Sequence, residues 1–168
     1  MVLGEESPRG GFFHTQNVLI FKKMKYISNS LKETEKIARD FIRSLAPKIS
    51  GATVIGLYGN LGAGKTTFAQ VAAKVLRVEE TVTSPTFVIE KIYELTGKKF
   101  AHLIHIDAYR LEKSEELLHL GWQDIISNPE NLILVEWPER IADIMPKHIR
   151  VKLEALENEK SREVEVII

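Results

Sequence analysis

The sequence predicts an α/β fold: a mainly parallel central sheet with helices on both faces and an added antiparallel hairpin at the C-terminus. Three observations carry this. Buried-strand patterns alternate with helical ones along most of the chain, the arrangement that builds parallel sheets through helical crossovers. The glycine-rich stretch "GNLGAGKT", Gly59 to Thr66, stands between an apolar run and a helix-like one. The closing segments "RVKLEAL" and "REVEVII" instead alternate apolar and polar residues with period two, as a hairpin with one solvated face does.

In chain order, "KYIS" from Lys25 is a short strand. "NSLKETEKIARDFIRSL" is a helix, because Ser30 and Glu33 have capping-box spacing and Ile37, Phe41, Ile42 and Leu45 form one face. "ATVIGLY" is a buried strand, and beyond the glycine loop Phe68, Val71, Ala72, Val75 and Leu76 recur at helical spacing. "TVTSPTF" is a hydroxyl-rich turn, "VIEKIY" a strand, and "TGKK" turns the chain toward "FAHLIHID". "SEELLHL" reads as a short helix ended by Gly121, "NLILVE" as another buried strand, and "PERIADI" as a short helix opened by Pro138. With no repeat, low-complexity tract or linker, residues 25–168 are expected to form one domain and residues 1–24 a loose extension. Met24 opens the first well-patterned stretch, so translation is expected to start there; the intact mass of the natively expressed protein tests this.

The chain has 168 residues, enough for one domain with a substantial core but not for a second catalytic domain. Its 23 basic and 23 acidic side chains cancel, so the overall charge draws it neither to nucleic acid nor to an anionic membrane. The absence of cysteine excludes disulfides, thiolate metal sites and thiol catalysis. Apolar runs such as "LILV" fall far short of the roughly 20 residues of a membrane-spanning helix. A soluble protein is expected.

In open α/β sheets, ligands collect at the carboxyl ends of the strands. Three buried strands here end directly in polar chemistry: "ATVIGLY" in the glycine loop, "HLIHI" in Asp107 and "LILV" in Glu136. One shared site is the inference. Gly59, Asn60, Leu61, Gly62, Ala63, Gly64, Lys65 and Thr66 match the phosphate loop of a P-loop NTPase fold: two glycines separated by four residues, then lysine and a hydroxyl residue. Glycines let successive backbone N–H groups turn inward onto phosphate oxygens, aided by the positive end of the following helix. Lys65 is expected to meet the β- and γ-phosphates of ATP, and the Thr66 hydroxyl to be a ligand of Mg²⁺. Asp107 and Glu136 are the candidates for the carboxylate that holds the magnesium, directly or through water; the ordinary reading of each is a solvated strand end. "TSPTF", with Thr86, has the hydroxyls of a nucleotide-sensitive switch, although by itself it is an ordinary turn. His102, His105 and Asp107 invite a zinc reading, but alternation along a strand sends His102 to the opposite face from the other two. Trp122 and Trp137 are expected in the core or at an interface.

Together "GNLGAGKTTF", "SPTF", "HIDAYRL", "LGW" and "LVEWPE", in this order and at these separations, resemble the TsaE family. Its members are bacterial P-loop ATPases required for N6-threonylcarbamoyladenosine in tRNA. The resemblance covers residues 25–168, and its "DxYRL" and "EWPE" elements are far more specific than the phosphate loop. It implies that Gly62 to Thr67 wrap the phosphates, that Thr66 binds Mg²⁺, and that Glu136 is the Walker B-like acid at the metal. It places Asp107 by the γ-phosphate and the attacking water or metal shell, which with Lys65 and Glu136 completes the catalytic set. "SPTF" becomes the switch, and Thr34 and Arg162 match residues near the nucleoside end of ATP. The sequence departs from the family at Asn60, where many relatives carry aspartate, and in a longer segment before "ATVIGLY", which bears on the Thr34 match. The family's ATPase is an accessory subunit, not the transferase. TsaC makes threonylcarbamoyl-adenylate, TsaD with TsaB transfers the group to adenosine, and TsaE docks on the TsaB–TsaD pair and resets it. The resemblance therefore implies a weak, partner-stimulated, cytoplasmic ATPase that meets tRNA only through the complex and does not bind DNA.

Other readings fit less well. A small-molecule kinase needs acceptor-binding groups and an arginine-bearing lid, and no arginine cluster follows the helix. A GTPase would carry an "NKxD" base-reading segment, which is absent. A module that only holds nucleotide would not need Lys65, Thr66, Asp107 and Glu136 all intact.

Overall fold

Apolar runs become the sheet and amphipathic runs its cover in the computed structural model, which describes residues 22–156 and 161–168. The strands are β1 (Lys23–Ser28), β2 (Thr53–Tyr58), β3 (Glu90–Glu94), β4 (His102–Asp107), β5 (Asn131–Glu136), β6 (Ile149–Ala155) and β7 (Arg162–Ile167). The α-helices are α1 (Leu31–Ser44), α2 (Lys65–Val75), α3 (Glu115–His119) and α4 (Trp122–Ser127), with 3₁₀ turns at Ala108–Arg110 and Pro138–Ile141. All seven strands join one sheet in the order β1-β7-β6-β2-β5-β4-β3.

Only the centre of this sheet is parallel. β2 pairs in parallel with β5 and β6, and β4 with β5, whereas β3–β4, β6–β7 and β1–β7 are antiparallel. The C-terminal hairpin is as expected, but the expectation of a mainly parallel sheet is corrected at the other edge. There β3 folds back on β4 through residues 95–101, too short for the dozen or so residues a parallel crossover needs. β1 closes the opposite edge and starts at Lys23, so it takes in Lys23 and Met24 from the segment expected to be loose; residues 1–21 lie outside the described residues.

Alternation along the strands feeds two cores. Leu57, Leu103, Leu132, Leu134, Val151 and Val164 face α1 and α2, where Phe41 and Phe68 meet with ring centroids 6.1 Å apart. Val54, Ile104, Ile106, Ile133 and Val135 face the other way, onto Leu117, Trp122 and Ile141. Helices thus cover both faces. α1 opens as its sequence indicates, with the Ser30 hydroxyl accepting from Glu33 N–H at 3.2 Å, while the Glu33 carboxylate reaches back to Asn29 N–H at 2.7 Å.

α4 is an element the periodicity does not reveal. Six residues are too few to display a helical stripe, and Gly121, in the left-handed region at φ 84°, both ends α3 and launches α4. Trp122, the first residue of α4, is fully buried and donates its indole N–H to Ile144 C=O at 3.1 Å. Trp122→Ala is expected to destabilise the fold by about 3–5 kcal/mol, read as a lower midpoint in denaturant unfolding. An unchanged midpoint would contradict this packing.

Candidate functional site

Parallel pairing brings the three polar strand ends to one edge. β4 and β5 are in register with Asp107 beside Glu136, and Leu57, next to the last residue of β2, pairs with Glu136. All three strands therefore deliver their last side chains beside the glycine loop. Asp107 and Glu136 share the α2 face of the sheet with Leu103 and Leu134. Both are buried, at 3% and 2% exposure, so neither is the solvated strand end of the ordinary reading.

The loop conformation demands glycine at its two ends. Gly59 has φ 142°, and a Cβ there would lie 2.2 Å from the Leu153 carbonyl oxygen on β6. Gly64, at φ 107°, turns the chain into α2, whose first residue is Lys65. Gly59→Ala is expected to cost about 3 kcal/mol, since it combines strained backbone with a steric clash against backbone. Equal denaturation midpoints for variant and parent would refute the tight approach of β6 to the loop.

Lys65 is buried and curls back over the loop, donating to Gly59 C=O at 2.6 Å and Asn60 C=O at 2.9 Å. Its ammonium also lies 3.8 Å from the centroid of the Trp137 ring. Burial pushes its pKa below the usual lysine value, while the charges of Glu136, Glu139 and Asp107 oppose the shift. Trp137 holds left-handed backbone at φ 58°, uncommon for a bulky residue, and its ring packs 5.0 Å from that of Tyr109. The sequence predicts a core or interface position for this tryptophan; it packs against the second core and also walls the site.

Glu136 is the hub. Its Oε2 accepts from the Thr66 hydroxyl at 3.0 Å, and its Oε1 lies 2.9 Å from His105 Nε2, both side chains being almost completely buried. His105 thus holds one carboxylate oxygen and leaves the other for Thr66. Its role is not visible in the sequence, where the only signal is the spacing to Asp107 on one strand face. His102 sits on the other face, with Nδ1 3.0 Å from Asn131 Oδ1. Asp107 binds differently. Its Oδ2 accepts from the hydroxyls of Ser84 and Thr86, both at 2.6 Å, and its Oδ1 from Tyr109 N–H at 3.0 Å. The "SPTF" segment is thereby fastened to the end of β4.

These groups line a cleft of about 400 Å³ that contains Gly62, Gly64, Lys65, Thr66, Thr67, Ser84, Thr86, Asp107, Glu136 and Trp137, with Leu61 and Tyr109 at its rim. Arg162, on β7, approaches the loop from behind and donates from Nε to Ala63 C=O at 3.3 Å. Thr34 does not line the cleft. It is buried in the first turn of α1, 2.8 Å from the Ser28 hydroxyl on β1, and the Ser28 position of that strand pairs with Arg162.

Fold and site together define an α/β protein whose chemistry is concentrated on one glycine loop and two buried carboxylates at the carboxyl ends of β2, β4 and β5. The family model described as threonylcarbamoyl adenosine biosynthesis protein TsaE matches residues 28–164. The tRNA threonylcarbamoyladenosine biosynthesis protein TsaE of Rickettsia conorii (strain ATCC VR-613 / Malish 7) is 39% identical over 134 residues, 79% of this chain and 71% of that protein. Its namesake from Aquifex aeolicus (strain VF5) is 34% identical over 141 residues, 83% of this chain and 96% of that one. Among solved structures, Bacillus subtilis YdiB superposes with a TM-score of 0.65 at 26% identity, covering 88% of this chain and 86% of its own. The chain belongs to the TsaE family.

Proposed function

We propose that this protein is a Mg²⁺-dependent, ATP-binding and ATP-hydrolysing accessory protein for formation of N6-threonylcarbamoyladenosine in tRNA. It has a P-loop NTPase fold and works as a nucleotide-driven switch on TsaB and TsaD homologues in the cytoplasm. Family membership supports the pathway. The ATPase reading is carried by one observation: the Thr66 hydroxyl, directly after the loop lysine, meets the buried Glu136 carboxylate at 3.0 Å. Hydroxyl and carboxylate oxygens on a phosphate loop suit Mg²⁺, a hard cation that takes one or two protein oxygens and fills its other positions with phosphate and water. When bound, Mg²⁺ neutralises developing charge on the phosphates.

The chain's own groups divide the remaining work. The N–H groups from Gly62 to Thr67 cradle the phosphates, and Lys65, released from Gly59 and Asn60, reaches the β- and γ-oxygens. Glu136, steadied by His105, orients the metal shell with Thr66. Asp107 takes the role at the attacking water or metal shell, and its hold on Ser84 and Thr86 supports a coupling of that role to the switch segment. Arg162, which reaches Ala63, and Thr34, which meets Ser28 opposite Arg162 in the sheet, are the residues that the family resemblance assigns to the nucleoside end of ATP. Among the described residues no helix is long and apolar enough to cross a membrane.

The reading is tested by pull-down with TsaB and TsaD homologues from the same source, with and without Mg-ATP. Nucleotide-dependent association is expected. Absence of association in both conditions would leave at most an ATPase without this partner. Label transferred from ATP to a nucleoside or sugar instead of water would favour the kinase reading.

A further inference from the structure

Away from the nucleotide cleft, α1 and α2 are separated on their outer side by a groove of about 560 Å³. Val71 and Val75 form an apolar floor. Arg39 and Arg43, one turn apart on α1, and Lys74 on α2 supply three cations, against Glu35 as the one carboxylate of the lining. Among the described residues these three cations make no ion pair, whereas Lys23, Lys25, Lys36 and Lys152 each do. In a chain of zero net charge, this is a local excess of positive charge around an apolar strip.

We propose that this groove docks an acidic segment of a protein partner, carboxylates on the three cations and an apolar side chain on Val71 and Val75. The volume accommodates a few side chains of such a segment. Nucleic acid is the poorer fit, because no aromatic side chain lines the groove for bases to stack on. The groove also touches the nucleotide machinery at two points. Thr67 lines both the groove and the cleft. Gln70 lines the groove and donates from Nε2 to Val82 C=O at 3.1 Å, so an occupant meeting Gln70 is one hydrogen bond from the segment that carries Ser84 and Thr86. Docking there is therefore read by the switch. The identity of the partner as TsaB–TsaD rests on the function proposed above; the chemistry of the groove does not.

The test uses the full chain, a fluorescein-labelled peptide of alternating glutamate and leucine, and a single-stranded RNA of matched length, read by fluorescence anisotropy. Saturable peptide binding is expected, weakening with salt and falling at least about tenfold in R39E/R43E, and also in K74E on the opposite wall. ATP affinity, measured alongside, is expected to be unchanged in both variants, which shows that they are folded. No saturable peptide binding, wild-type affinity in both variants, or tighter binding of the RNA would overturn the proposal. Binding of TsaB–TsaD homologues is measured in parallel. Peptide binding without TsaB–TsaD binding supports the groove and removes that pair as its occupant; the reverse overturns the groove and keeps the pair.

Discussion

Glu136→Ala is expected to abolish partner-stimulated ATP hydrolysis, with a loss of at least about 100-fold, because it removes the carboxylate through which Thr66 and His105 are joined. The same change leaves the buried His105 Nε2 without its acceptor, a cost of about 1–3 kcal/mol in stability, whereas the half-buried Thr66 hydroxyl lines the cleft. Glu136→Gln separates the two effects: it keeps the shape and an acceptor oxygen but loses the charge. Its denaturation midpoint is expected near that of the parent, with hydrolysis still lost. Full turnover in Glu136→Ala would refute the placement of the metal-binding acid, and full turnover in the glutamine variant would refute the need for its charge.

Lys65→Ala is expected to weaken ATP binding about 100-fold, the equivalent of one or two charge-assisted hydrogen bonds to phosphate. The fold should tolerate it better than its burial suggests. Burial already disfavours the ammonium, and its present partners, the carbonyls of Gly59 and Asn60, belong to residues that line a separate open cleft beside β6. Titration of ATP in the presence of Mg²⁺, followed calorimetrically, checks this. Wild-type affinity would mean that the loop does not engage phosphate.

The central machinery is legible in the sequence because its signals are local. "ATVIGLY", the glycine loop and the helix after it are contiguous, and strand patterns that stop abruptly at Asp107 and Glu136 predict a shared edge that the register then supplies. What the sequence does not reveal depends on contacts between distant elements. Nothing in "HLIHID" says that His105 will face Glu136, since that requires β4 and β5 to be neighbours in a particular register. Alternation does correctly send His102 to the other face. The antiparallel β3–β4 edge follows from a connection too short to cross over, a length constraint that outweighs the α/β pattern elsewhere. Pro138 does open a helical turn, but it is a single 3₁₀ turn, Pro138–Ile141, which Trp137 enters in the left-handed conformation. Trp137 itself shows the limit of residue-type reasoning: it packs against the core, in keeping with the expectation of a core or interface residue, but also lies over Lys65 at the site.

Phosphate release from Mg-ATP, measured for the full chain alone and with TsaB and TsaD homologues, decides whether the chain is a partner-operated ATPase. Slow release by the chain alone, stimulation by the pair, and loss of both when magnesium is chelated are expected. Release that is indifferent to the pair, or no release under any of these conditions, would contradict the proposed function.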